Sequence, residues 1–236
     1  MQRTSEIYRS PSTQVAVSKY MSKVYLWMTA GILLTGYVAW AVGTNDQLVT
    51  ALLSNKLLFY GLIIAEFGLV ILLTAGINRM NSLTATAMFL LYATINGATL
   101  SVFSLIYTSE SIQSAFFTTT VAFAGLSGFG YVTKRDLGPV ASFCTMGLFG
   151  LVGFSLLSIF FPSLMGTTAS KVYGLVGIFV FAGLTAYDTQ AIKNMAPAAR
   201  DGEAYHKGAI LGALKLYLDF INLFLFILRM TGSRRR

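Results

Sequence analysis

The chain is poor in charge, cysteine and histidine. Only 11% of its 236 residues are charged, against about 25% in soluble domains. Cys144 is the single cysteine, which excludes an intramolecular disulfide and a multi-cysteine metal site. Its place in an apolar run predicts a buried small side chain. His206 is the single histidine; it falls in a polar stretch, so histidine-ligated metal chemistry lacks ligands. No cleavable leader is expected. Residues 1–23 are polar, and the first apolar run has no small-residue cleavage site close behind it.

Apolar residues fill the space that charge leaves. They make up 55% of the chain, and mean hydropathy is +0.67. Seven runs are long enough to cross a bilayer as helices: 24–43, 57–77, 83–107, 112–132, 140–161, 172–195 and 209–230. Barrel strands would be about ten residues long and alternate in polarity, which these runs do not. The alternative, a soluble protein with very apolar core helices, is disfavoured, because seven such runs leave too little polar surface for water. The expectation is an all-α integral membrane protein with a seven-helix bundle over 21–236, preceded by a mobile cytoplasmic tail over 1–20.

The net charge is +8. The basic residues lie mostly in tails and loops, where they act as topology signals and contacts to anionic membrane lipids. Nucleic-acid binding would need a basic soluble domain, and no segment is large enough. Most connections are short, at 78–82, 108–111 and 133–139, so neighbouring spans are antiparallel. The longest, 196–208, contains Pro197 and Gly202. There is one domain and no internal repeat. Gly147, Gly150 and Gly153, and the pair Gly208 and Gly212, predict close helix packing.

Charge bias gives orientation. With seven spans, Arg3, Arg9, Lys19, Lys23, Arg79, Lys134, Arg135, Lys193, Arg200 and Lys207 share the side of the N-terminus. Lys56 and Lys171 face them from the opposite loops. The N-terminus is therefore expected in the cytoplasm. Arg229, Arg234, Arg235 and Arg236 leave two readings: a full seventh span with an outer C-terminus, which we prefer, or a last segment that re-enters.

Against this background two acids stand out, Asp188 in the sixth run and Asp219 in the seventh. An intramembrane acid is costly and marks a functional site by default. Measured from helix ends at Met195 and Ala209, they lie roughly 11 and 15 Å from one face. An antiparallel hairpin then brings them to similar depth. Two charges about 4 Å apart interact by roughly 4 kcal/mol at an effective dielectric of 20. Such a pair shares a proton near neutrality, titrates as a unit, and forms a candidate pH sensor and weak cation site. The alternative is two acids hydrogen-bonded separately. Glu66 lies midway along the second run and Arg79 at its cytoplasmic end, within reach of the acids. Lys215 either pairs with Asp219 at i,i+4 or snorkels to the surface. Asn222, three residues after Asp219, can donate a hydrogen bond.

The segments Ala-Tyr-Asp-Thr-Gln-Ala-Ile at 186–192 and Leu-Tyr-Leu-Asp-Phe-Ile-Asn-Leu-Phe at 216–224 resemble the transmembrane Bax inhibitor motif family. So do Asn-Gly-Ala-Thr-Leu-Ser at 96–101, Ala115-Phe116 and Thr118. The resemblance runs from about residue 20 onward. It implies a seven-helix protein with the last helix central. It further implies a pH-sensitive calcium leak of the bacterial inner membrane, gated by the acid pair at Asp188 and Asp219. No cofactor is implied beyond weakly bound calcium at that pair. A second-span arginine contacts the pair in bacterial relatives, and Arg79 is the nearest candidate here. Some bacterial relatives associate with a membrane-anchored ATP-dependent protease.

Two other functions compete. An intramembrane aspartyl protease would match Tyr187-Asp188, but its second motif needs Gly-x-Gly-Asp where this chain has Tyr217-Leu218-Asp219. No enzymatic activity is expected. A non-transporting regulator of that protease, or of membrane quality control, would use the N-terminal tail as its handle.

Overall fold

The structure is a computed structural model that describes residues 11–196 and 202–235. Residues 1–10 and 197–201, with Pro197, Arg3, Arg9 and Arg200, lie outside the described residues, as does Arg236. Helices run in the order α1 (Pro11–Gly43), α2 (Asp46–Ser54), α3 (Lys56–Gly76), α4 (Ser82–Leu100), α5 (Phe103–Ile106), α6 (Ser109–Val132), α7 (Gly138–Phe160), α8 (Thr167–Met195) and α9 (Glu203–Thr231). Seven of the spans they form are long and apolar enough to cross a membrane. The protein is an all-α membrane-type bundle, as its apolar runs predict.

Polar caps start the helices where the apolar runs begin. The Asn45 carbonyl oxygen accepts from Gln47 N and Leu48 N, Asn55 from Leu58 N, and Asn81 from Thr84 N at 2.7 Å. Each cap satisfies a backbone donor that the first turn leaves open. Large apolar side chains such as Leu26, Trp40, Phe67, Phe117, Phe149 and Phe160 are exposed. Exposed apolar side chains of this size are suited to lipid and not to water.

The chain divides into two compact units: residues 1–106 with 192–217, and residues 107–191 with 218–236. Both units draw core from α9. It is the most buried span, with 61% of its most apolar stretch buried against at most 33% elsewhere. In the first unit Ala209, Ala213, Leu214 and Tyr217 are buried with Val24 of α1 and Phe89 of α4. In the second, Phe220 meets Phe116 and Phe123 edge-on at 5.7 and 5.5 Å, and Phe226 stacks on Phe181 at 5.7 Å.

Several boundaries differ from the sequence reading. The first helix reaches back to Pro11, so residues 11–20 are helical and not part of a mobile tail. Val17, Tyr20, Met21 and Val24 are buried, a stripe at helical spacing that no continuous apolar run announces. The last helix starts at Glu203, six residues before the expected 209. His206 is thus helical and not in a loop. Gly202, at φ +126°, sits just before it, and its carbonyl accepts from His206 N. The short α2 was not anticipated; it buries only Val49 and Leu52.

The seventh span is tied down at both ends. At its start Glu203 Oε1 accepts from Ser82 N at 3.1 Å and Lys207 Nζ donates to Met80 O at 3.0 Å. These partners lie between the second and third spans. At its far end Arg229 Nε donates to Ser170 Oγ at 3.2 Å, and Thr108 N donates to Ser233 O at 3.2 Å. Those partners lie between the fifth and sixth spans and between the third and fourth. The second connection holds its start, and the third and fifth hold its end; in a seven-span topology these connections alternate sides, which favours the full span over re-entry. A topology reporter fused after Arg236 is therefore expected on the opposite side from one fused at the N-terminus. Same-side signals would contradict seven spans.

Candidate functional site

Asp188 and Asp219 fall in the same unit, on α8 and α9. Asp188 is half-buried, and Asp219 is 4% exposed. The α8 segment around Asp188 is held by α6 and by the connection before α7. Thr189 Oγ1 lies 2.9 Å from Ser127 Oγ of α6. Gln190 Oε1 accepts from Leu137 N at 3.0 Å, and its Nε2 donates to Arg135 O at 2.8 Å, which ties α8 to the connection before α7. Gly130 of α6 lies so close to Ala186 that a Cβ there would overlap its carbonyl oxygen.

That last approach has a direct consequence. A Gly130→Leu substitution has no room, because the obstacle is backbone that cannot rotate away. Overpacking of this kind costs about 1–3 kcal/mol or more. A marked drop in the thermal unfolding midpoint in detergent is expected, and an unchanged midpoint would contradict the close packing.

Registration between α8 and α9 bears on the acid pair more directly than helix ends do. With α9 starting at Glu203, the equal-depth argument from helix termini no longer applies. Side-chain register replaces it. Phe181 and Phe226 stack at 5.7 Å, and a Cβ on Gly174 would lie 2.8 Å from Met230 Sδ. The helices are therefore antiparallel neighbours in this unit. Asp188 is seven residues after Phe181, and Asp219 is seven residues before Phe226. Seven residues are about two turns, which returns each helix to nearly the same face. The acids therefore lie about two turns, roughly 10 Å, along α8 and α9 from the stacked phenylalanines, toward the same end of the helix pair.

The supporting residues divide between the units. Asn222 donates to Leu218 O at 2.8 Å, one turn back on its own helix. Lys215 is exposed and belongs to the first unit. Arg79 is exposed in the short 3₁₀ turn after α3, also in the first unit. Glu66 is in the first unit too, half-buried on α3, where it accepts from Thr99 Oγ1 at 2.6 Å and Asn96 Nδ2 at 3.2 Å. Cys144 is buried against Gly183. Among the described residues no three His, Cys, Asp or Glu side chains cluster as a metal site.

The residues missed by sequence reasoning are the polar neighbours: Ser127, Gln190, Thr35 and Tyr217. For Gln190 and Tyr217 a signal existed, since both belong to the segments that carry the family resemblance. Thr35 and Ser127 sit in apolar runs with nothing beside them to mark them.

Comparison with known proteins agrees with the bundle. Residues 17–236 match the family model described as inhibitor of apoptosis-promoting Bax1. The chain is 43% identical over 224 residues to the inner membrane protein YbhL of Escherichia coli K12, covering 94% of each chain. It is 40% identical over 219 residues to an uncharacterized protein of Borreliella burgdorferi, covering 92% of this chain and 93% of that one. It is 41% identical over 219 residues to the uncharacterized protein RP147 of Rickettsia prowazekii, covering 92% and 90%. With the family model spanning nearly the whole seven-helix bundle, the chain belongs to the Bax inhibitor family of membrane proteins.

Proposed function

We propose that this protein is a pH-sensitive calcium leak channel of a bacterial inner membrane, with its N-terminus in the cytoplasm and with Asp188 and Asp219 as the gate. The observation that supports the reading is the antiparallel packing of α8 on α9, with Phe181 stacked on Phe226 and each acid about two turns from its phenylalanine toward the same end. Similarity to the inner membrane protein YbhL supports the location. The role is non-enzymatic.

Calcium is cargo here. It prefers oxygen ligands, six to eight in a tight site. Two carboxylates with backbone carbonyls and water supply fewer fixed oxygens than that. The pair therefore suits a weakly held ion that must also leave. The proton and calcium compete for the same oxygens, which couples conduction to pH. Two carboxyls in contact carry less than two full charges, since the second ionisation opposes the first.

Calcium entry into liposomes containing the purified chain tests the reading. A leak above that of protein-free vesicles, changing between acidic and neutral pH, is expected. Removing residues 1–10, which precede α1, is expected to preserve it. No leak at any pH would overturn the channel and favour the non-transporting regulator of a membrane-anchored ATP-dependent protease.

A further inference from the structure

The first unit contains a polar chain in which the acid pair takes no part. Glu66 on α3 accepts from Asn96 Nδ2 of α4. Asn96 Oδ1 accepts from the Tyr217 hydroxyl of α9 at 3.0 Å. That hydroxyl lies 2.7 Å from Thr35 Oγ1 of α1, which in turn lies 2.8 Å from Ala93 O. Four helices thus meet on one run of hydrogen bonds. Asn96, Thr35 and Tyr217 are 7%, 3% and 0% exposed, so bulk water does not complete the run.

The protons do not suffice for every contact when Glu66 is ionised. Thr35 and Tyr217 each own one hydroxyl proton. Three contacts compete for the two: Ala93 O, the hydroxyl–hydroxyl contact, and Asn96 Oδ1. A carboxylate only accepts. It therefore keeps the Asn96 amide NH₂ toward itself and Oδ1 toward Tyr217. Tyr217 then donates to Asn96, Thr35 donates to Tyr217, and Ala93 O keeps only what its own helix provides.

A neutral Glu66 removes the deficit. The Asn96 amide turns over, which its near-symmetric shape allows. Glu66 O–H donates to Asn96 Oδ1, Asn96 Nδ2 to Tyr217, Tyr217 to Thr35, and Thr35 to Ala93 O. Each contact now has one proton. The single covalent change is the new O–H bond on Glu66, made with a proton taken from water. Tyr217 and Thr35 keep their own protons and only re-aim them. The Tyr217 ring stays in place, edge-on to Phe89 at 5.8 Å and Tyr92 at 5.6 Å.

We propose that Glu66 is a reversible proton-binding site, and that the Asn96–Tyr217–Thr35 chain reverses its hydrogen-bond direction when the proton binds. The direction is then a record of Glu66 charge delivered to α1, α4 and α9. An ionised carboxyl in the middle of a span is costly, and its two hydrogen-bond donors offset part of that cost. The titratable groups nearest Glu66 from the helices packed around it are Tyr92 of α4 and Tyr217 of α9. α4 carries no charged residue. Asp46 on α2, Lys56 at the start of α3 and Arg79 after it are the nearest charges in sequence, and Lys19 and Lys23 lie three or more turns before Thr35 on α1.

Infrared difference spectroscopy of the full chain in bilayers tests this, because the carboxyl C=O stretch reports the Glu66 proton. The tyrosine C–O stretch reports whether the Tyr217 hydroxyl donates to Asn96 or to Thr35, with Tyr217→Phe assigning the band. On acidification the carboxyl band is expected to appear and the Tyr217 band to shift, with one midpoint. In Glu66→Gln, whose amide donates as the neutral acid does, the carboxyl band is lost and the Tyr217 band stays at its low-pH position throughout. In Asn96→Leu the carboxyl band remains and the Tyr217 shift disappears. Asp188→Asn leaves both bands, whatever it does to calcium flux. A Tyr217 band that still titrates in Glu66→Gln, or a carboxyl difference signal that Glu66→Gln leaves unchanged, would overturn the proposal.

Discussion

Asp219→Asn is expected to flatten the pH dependence of calcium flux, and Asp188→Asn to do the same. Asparagine keeps the shape of the side chain, so the bundle around buried Asp219 is preserved. What it removes is the like charge beside the other acid. At about 4 Å that charge contributes roughly 4 kcal/mol at an effective dielectric of 20, or about three pH units. The remaining carboxyl then titrates outside the range in which the pair responds. The size of the leak at one pH is a separate matter, because an amide mimics the neutral acid but has no proton to release. Glu66→Gln, in the other unit, is expected to leave most of the flux response. Two aspartate variants that insert and fold, yet keep the normal pH profile, would remove the pair from the gate.

Tyr217→Ala is expected to be the most destabilising single change in the first unit. The ring is fully buried, touches Phe89 and Tyr92 edge-on, and its hydroxyl meets Thr35 and Asn96. Truncating a buried aromatic side chain costs about 3–5 kcal/mol, and orphaned hydrogen-bond partners add about 1–3 kcal/mol. Native proteins have only about 5–15 kcal/mol to lose. Tyr217→Phe keeps the rings and loses only the hydroxyl, at about 1–2 kcal/mol. Thermal unfolding in detergent should rank wild type above Phe, and Phe far above Ala. Equal midpoints for Phe and Ala would mean that ring packing contributes little.

The spans were legible because a helix that crosses lipid must be apolar along its whole length. The turns beyond the hydrocarbon were not. Val17, Tyr20, Met21 and Val24 form a buried stripe within a segment that is polar on its other faces. Residues 203–208 begin α9 with Glu203, His206 and Lys207, composition that reads as loop. Misplacing that start made helix ends a poor ruler for the two acids. The better ruler, Phe181 against Phe226, needs the packing of α8 on α9, which no spacing within either run encodes. The Glu66 chain was hidden for a similar reason. Thr35, Glu66, Asn96 and Tyr217 lie about thirty or more residues apart in sequence, on four helices. Only the fold brings them onto one line of hydrogen bonds. The acids themselves were easy to find, because charge within an apolar run has few structural uses.

The separation of the two carboxyl groups, measured in experimental structures at acidic and at neutral pH, tests the central claim most directly. Direct or water-bridged contact between Asp188 and Asp219 in at least one state is the expected result. Carboxyl groups more than about 8 Å apart in every state would contradict it, since at that distance their coupling at least halves and no proton could be shared.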